Sequence, residues 1–112
     1  MGLIGPSSSK EAFVFEETDR SGQTFRFKVT GQVTAKEASQ MEFKLEQAVK
    51  SGGKTIIINM YMVKAFSSAG IRVVLNMYKK LKAMGGSLKI ESPSENVRNV
   101  IGMVALDDLL LR

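Results

Sequence analysis

The sequence feature that most limits the fold is an apolar run at residues 54–60, Lys-Thr-Ile-Ile-Ile-Asn-Met. Apolar and polar positions do not alternate in it, and β-branched residues dominate. Such a run is typical of a short central strand buried on both faces of a sheet. Helix-like segments lie on either side of it in the sequence. The run therefore predicts an α/β fold built around a parallel sheet.

Strand-like and helix-like segments alternate before this run. Residues 25–29 alternate between apolar and polar side chains, and together with residues 13–15 they predict an antiparallel hairpin. Thr34 and Glu37 have the spacing of a capping box. A helix is therefore expected from there to the Ser-Gly-Gly at residues 51–53.

The second half of the chain continues the alternation. Residues 61–66 are predicted to form an apolar loop, and apolar residues at helical spacing predict a helix over residues 68–84. Residues 87–91 indicate another strand, and Ser92 and Glu95 indicate a second capping box that starts a short helix. The predicted fold class is α/β, in the order β-β-α-β-α-β-α. Helices pack a mixed, mostly parallel sheet, in which the N-terminal hairpin is antiparallel.

The length predicts one domain, because 112 residues support one hydrophobic core. Residues 1–10, rich in Gly, Ser and Pro, are predicted to be a flexible lead, and residues 11–112 a single domain. No segment has the composition of a signal peptide or the length of a membrane span. A soluble, cytoplasmic protein is therefore expected.

The chain contains no cysteine and no histidine. This excludes disulfides, thiolate metal sites and the Ser-His or Cys-His pairs of many hydrolases. Asp107 and Asp108 do not make a carboxylate pair, since adjacent residues point about 100° apart on a helix. The sequence predicts a non-enzymatic protein with no catalytic residues and no metal site.

The formal net charge of +5 does not by itself identify a partner. Its densest cluster, Lys79, Lys80 and Lys82, falls in the last turns of a predicted helix, where cations complement the helix dipole. No zinc-finger or RNP-type motif accompanies it. Direct binding of nucleic acid is therefore not expected. The sequence also contains no phosphate-binding glycine loop.

Two hydroxyl side chains, Ser67 and Ser68, stand where the helix after the buried strand begins. In open parallel sheets this edge, at the carboxyl ends of the strands, is where ligands and partners bind. One reading is simple helix capping. The other is phosphorylation, which would add a charge of about −1.5 to −2 beside apolar residues and could abolish a contact with another protein. The local sequence leaves both readings open.

At these residues the sequence resembles a known family. The buried strand, the Phe-Ser-Ser-Ala-Gly-Ile of residues 66–71, the amphipathic helix and the glycines at residues 85–86 are similar to the STAS domain. In particular they resemble bacterial anti-sigma factor antagonists. Residues 29–34, a strand ending in glycine and a helix start, and residues 89–94 extend the match. The resemblance covers roughly residues 12–111.

The resemblance implies a partner-switching function. An unphosphorylated antagonist binds an anti-sigma factor that is also a serine kinase, and this binding frees a sigma factor for transcription. The kinase then phosphorylates one serine of the antagonist, the complex separates, and a protein phosphatase resets it. The acceptor position aligns with Ser68, with Ser67 as the second candidate. ATP-Mg²⁺ is expected in the kinase, so the antagonist itself needs no cofactor.

The resemblance also places a partner-binding surface around the acceptor serine. Met62 and Phe66 are included as apolar residues of the predicted loop. Val73 forms a second apolar stripe with Met77 and Met84, for which ordinary packing is the alternative. The predicted partner-binding residues are Thr34, Met62, Phe66, Ser67, Ala69, Gly70, Arg72 and Val73.

Two other functions stay open at this stage. STAS domains also occur as accessory subunits of lipid transporters, a setting that a basic surface would suit. A module that binds a small ligand or a nucleotide is the third alternative. The sequence does not decide between a monomer and a weak homodimer.

Overall fold

The computed structural model describes residues 12–103. The flexible lead predicted at residues 1–10 and the aspartates at 107–108 lie outside this part of the chain. The described strands and helices follow in the predicted order, and the α/β fold class is confirmed. Their bounds are β1 (Val14–Ser21), β2 (Thr24–Val33), α1 (Ala35–Lys50), β3 (Thr55–Phe66), α2 (Ser68–Ala83), β4 (Ser87–Glu91) and α3 (Glu95–Met103).

The sheet has the strand order β1-β2-β3-β4. β1 and β2 are antiparallel, while β2, β3 and β4 run parallel to one another. A two-residue turn joins the hairpin, because Ser21 pairs with Thr24. Gly22 has φ 61° in this turn, a left-handed conformation that suits glycine and that tight hairpins require. β2 continues two residues beyond Gly31 and ends at Val33.

The core lies on one face of the sheet. Side chains of β3 alternate between fully buried positions, such as Ile56 and Ile58, and half-buried ones, such as Ile57. The prediction that this strand is buried on both faces is therefore wrong. On the second face Ile57 lies between Arg26 and Lys89, its register partners on β2 and β4. The polar side chains that β2 and β4 place on this face leave it open to water. Buried residues of all three helices join the core on the first face.

β3 is longer than predicted, because residues 61–66 form strand and not loop. The register with β2 shifts twice in this half, so β3 contains two residues more than the stretch of β2 that it pairs with, and such extra residues form β-bulges. The first shift lies between the Lys28–Asn59 and Thr30–Met62 pairs. There the Asn59 side chain accepts a hydrogen bond from the Tyr61 N–H (2.9 Å).

The start of α3 holds the bulged half of β3. The Ser94 hydroxyl donates to the carbonyl of Val63 (2.7 Å) and accepts from the N–H of Val97 (3.3 Å). The Ser94 N–H donates to the carbonyl of Met60 (3.1 Å). Ser94, and not Ser92 as predicted, therefore caps α3. One hydroxyl both begins this helix and fixes the strand beside it.

The apolar spacing of α2 predicts a buried face made of Ile71, Val74, Leu75, Tyr78 and Leu81. The buried face in the structure is a different one. It consists of Gly70, Val73, Val74, Met77 and Leu81. Val73 and Met77, assigned from the sequence to a second apolar stripe, are core residues, because α2 packs against both β4 and α1. None of the helices in residues 12–103 is long and apolar enough to cross a membrane.

Candidate functional site

Two helices begin side by side at the carboxyl edge of β2 and β3. Val33 pairs with Phe66 at the ends of these parallel strands, and the Ser67 N–H donates to the Val33 carbonyl (3.0 Å). The next residue on each strand is the N-cap of a helix: Thr34 for α1 and Ser67 for α2. The sheet register therefore places the two helix N-termini next to each other.

Ser67 serves as the cap of α2. Its backbone is extended, with φ −78° and ψ 169°, and its hydroxyl accepts from the N–H of Gly70 (3.3 Å). Its carbonyl accepts the first helical hydrogen bond, from the N–H of Ile71 (3.0 Å). Ser67 is half-buried, and its hydroxyl is already engaged in the cap of α2.

Ser68 differs from Ser67 in its position, its exposure and the hydrogen bonding of its hydroxyl. It is the first residue of α2 and is exposed. Its hydroxyl makes no hydrogen bond within residues 12–103. The backbone N–H groups of a first helical turn lack partners within the helix and attract negative charge. The Ser68 hydroxyl is therefore available to an external reactant at a position where an anion is favoured.

Gly70 and Phe66 form the packed base of this site. A Cβ atom at Gly70 would lie 2.8 Å from the Phe66 ring and 3.0 Å from the Val33 side chain. Phe66 is only 5% exposed, so the prediction that it lies in an exposed loop is wrong. Its place at the end of β3 turns the ring into the core beneath α2. Gly70 is needed here for close packing, since its backbone is ordinary helix.

The neighbouring helix start carries the predicted capping box, which is confirmed. Thr34 and Glu37 are its members, and the Thr34 N–H donates to the Glu37 carboxylate (3.3 Å). A hydrogen bond from the Thr34 side chain, followed by backbone hydrogen bonds, holds the pKa of Glu37 below its ordinary value. The carboxylate is thus held in its ionised form within the capping box at the N-terminus of α1.

The predicted partner-binding residues fall into three groups by exposure. Phe66, Gly70 and Val73 are buried, so they support the surface from below and offer no free side chain to a partner. Met62, Ser67 and Ala69 are half-buried. Thr34 and Arg72 are exposed, as is the predicted phosphoacceptor Ser68. We call the surface formed by Thr34, Ser67, Ser68, Ala69 and Arg72 the docking surface.

Two exposed aromatic residues lie outside the predicted set. Phe43 is 64% exposed, and its position off the apolar face of α1 signals this in the sequence. Tyr61 is 68% exposed, and the sequence carries no signal for it, because its exposure depends on the first bulge of β3. Met84 is 40% exposed at the end of α2.

Two of the three lysines in the last turns of α2 contact other side chains. Lys80 is paired with Glu46 of α1, and the Lys82 ammonium lies 5.9 Å from the centre of the Tyr78 ring. Within residues 12–103 no group of three or more acidic side chains could hold a metal ion. Every buried residue in this range is apolar or a glycine. What the described site offers chemically is a free hydroxyl at a helix N-terminus.

Comparison with known proteins agrees with this geometry. The family model of the STAS domain matches residues 16–111. The chain belongs to the STAS domain family. The resemblance inferred from residues 66–71 is thereby confirmed, and the two adjacent helix starts are part of a STAS fold.

Proteins similar to this chain include ones named as anti-sigma factor antagonists. BtrV of Bordetella bronchiseptica, a candidate anti-sigma factor antagonist by its name, is 33% identical over 70 residues. That alignment covers 62% of this chain and 60% of BtrV, so the match spans less than two thirds of the relative.

Solved structures give the same fold. The antagonist SpoIIAA in its unphosphorylated form has a TM-score of 0.79 and 23% identity over 87% of this chain and 85% of SpoIIAA. The phosphorylated form from Bacillus has a TM-score of 0.73 and 22% identity over 87% and 88% of the two chains. An antagonist from Mycobacterium paratuberculosis has a TM-score of 0.78 and 18% identity, over 88% of this chain and 83% of its own.

Proposed function

We propose that this STAS protein is an anti-sigma factor antagonist that is switched by phosphorylation of Ser68. The observation that carries the proposal is the contrast between two neighbouring hydroxyls. Ser67 is half-buried and caps α2, whereas Ser68 is exposed and makes no hydrogen bond in the described part of the chain. SpoIIAA, which shares the fold, has been solved in both unphosphorylated and phosphorylated forms.

The reaction requires little from the antagonist. The Ser68 oxygen attacks the γ-phosphorus of ATP held by an anti-sigma factor kinase, ADP leaves, and the hydroxyl proton passes to a base of the kinase. The new group adds about −1.5 to −2 charges at an exposed position. The helix N-terminus favours this charge by about 0.3–1 kcal/mol, so the fold survives and the docking surface changes.

In this function the unphosphorylated protein binds the kinase in the cytoplasm and frees a sigma factor. A protein phosphatase returns Ser68 to the hydroxyl form. The alternatives, a lipid-transporter subunit and a nucleotide-binding module, have no observation among residues 12–103 that favours them.

The decisive experiment is mass spectrometry of the protein purified from its own cells. We expect phosphate on Ser68 in the parent protein and in Ser67→Ala, and none in Ser68→Ala. Phosphate on Ser67, or no phosphate in any growth phase, would contradict the proposal.

Binding to the cognate kinase provides the second measurement. Ser68→Glu should weaken binding at least tenfold, which corresponds to about 1.4 kcal/mol. The matched control is Ser39→Glu, which adds the same charge at an exposed position of α1 away from the docking surface. Equal affinities of the two variants would argue against a switch at Ser68.

A further inference from the structure

Arg72 lies one helical turn after Ser68 on α2, and both residues are exposed. Side chains at positions i and i+4 of a helix are neighbours, with about 5–6 Å between their Cβ atoms. Arg72 makes no hydrogen bond or ion pair within residues 12–103. Arg20 and Arg26, in contrast, each bind a glutamate, at 2.7 and 2.8 Å. Among the described residues, the Arg72 guanidinium therefore has no partner and lies one helical turn from the Ser68 hydroxyl.

No anion on α2 competes for this guanidinium. The helix contains no Asp or Glu, and the residues that follow Arg72 by three and four positions are Leu75 and Asn76. The charged residues in the first turn of the neighbouring α1 are Lys36 and Glu37, and Glu37 is engaged in the capping box. A phosphoryl group on Ser68 would be the first acidic group on α2.

The geometry suits a phosphate–arginine pair. An acidic group four residues before a basic one is the favourable order on a helix. A guanidinium presents a planar fork of N–H donors that can bind two phosphate oxygens at once. We propose that Arg72 is the intramolecular counter-ion of the phosphoryl group on Ser68. This inference rests on the proposed function, since it names how that switch works.

Phosphorylation then changes the docking surface in two ways. It places negative charge at Ser68, and it withdraws the guanidinium of Arg72 from any partner. A partner group that binds the Arg72 guanidinium has to be an anion, and the phosphate would compete with it within the molecule. A single modification therefore both repels the partner and makes the Arg72 guanidinium unavailable to it.

The test uses protein with phosphoserine installed at position 68 during translation, so that no kinase is needed. Titration followed by ³¹P NMR gives the second pKa of the phosphate, ordinarily about 6. We expect Arg72→Gln to raise this pKa by about 0.4 pH unit, the size of a helical i, i+4 pair. The difference should shrink in about 1 M salt, where surface charges are screened.

Two controls isolate the pair. Arg98→Gln removes an exposed arginine from α3 and should leave the phosphate pKa unchanged. Phosphoserine at Ser39, which has Phe43 four residues later, should be insensitive to Arg72→Gln. Circular dichroism verifies that each variant is folded.

Equal phosphate pKa values in the parent and Arg72→Gln would overturn the inference. That result would leave phosphorylation of Ser68 in cells intact, because mass spectrometry tests it separately. Conversely, absence of phosphate in cells would refute the proposed switch without altering the measured ion pair. The two experiments therefore fail independently.

Discussion

The ring of Phe66 packs so closely under Gly70 that a Cβ atom there would lie 2.8 Å from its Cε1 atom. Phe66 is the last residue of β3, and Gly70 lies in the first turn of α2. This contact determines how near α2 can begin to the end of its strand. It therefore fixes the position of Ser68 relative to the sheet.

Gly70→Ala should destabilise the protein by about 1–3 kcal/mol, the usual cost of overpacking a core. The stability is measured by urea unfolding. Asn76→Ala, at an exposed position of the same helix, is the control and should change stability by no more than about 0.5 kcal/mol.

The double variant Phe66→Leu, Gly70→Ala tests the cause. Because the shorter side chain removes the atoms nearest the new methyl group, the double variant should lose less stability than the sum of the two single changes. Additive losses would show that the Phe66 contact is not what requires glycine.

Glu37 should contribute to the acid sensitivity of the fold. Hydrogen bonding to Thr34 lowers the pKa of Glu37 in the folded state. Its stabilising contribution is therefore fully present above the ordinary Glu pKa of about 4.3 and is lost as the pH falls through the lowered value. We expect Glu37→Gln to make the decline of stability below about pH 4.3 shallower, as measured by denaturation at a series of pH values.

The matched control for this change is Glu42→Gln, which removes the same charge from an exposed position in the middle of α1. Identical stability profiles of the two variants would contradict a special role for the capping box.

Ser94→Ala should cost about 1–2 kcal/mol, because it removes both a helix cap and a hydrogen bond to the strand. Ser39→Ala is the exposed control. Hydrogen exchange should show faster exchange in residues 61–66 as well as at the start of α3. Faster exchange in α3 alone would mean that Ser94 does not hold β3.

The order of elements was predictable from local signals. Thr34 and Glu37 mark the start of α1 through side chains three residues apart, and the structure confirms their capping box. The run at residues 54–60 likewise identifies the central strand without knowledge of its neighbours. Such features need only nearby residues, so a sequence shows them directly.

The second half of β3 could not be predicted in this way. Its two bulges break the alternation expected of a strand, and the carbonyl of Val63 is held by Ser94, which is 31 residues away in the chain. Without that alternation the sequence predicts a loop at residues 61–66, and therefore an exposed Phe66. The buried side of α2 is not predictable for a similar reason, since apolar residues cover a wide face of that helix and only its packing selects Val73 and Met77.

The candidate site, too, was only partly predictable from the sequence. The pair Ser67 and Ser68 was visible in the sequence, but both capping and phosphorylation remained open for each hydroxyl. The hydrogen bond from Gly70 to Ser67 separates their structural roles, and it depends on the three-dimensional course of the chain. Phosphorylation of Ser68 stays a prediction.

β1 pairs with β2 in a register that shifts once along the hairpin, and this irregularity has a consequence for the protein at high concentration. β1 is the outermost strand on one side of the described sheet, and its pairing is irregular between Glu17 and Asp19. An unpaired strand edge can recruit the edge of another molecule and begin aggregation. A bulge flanked by exposed acidic side chains makes this edge uneven and charged. It is therefore a poor template for a foreign strand, and the sheet stops growing at β1.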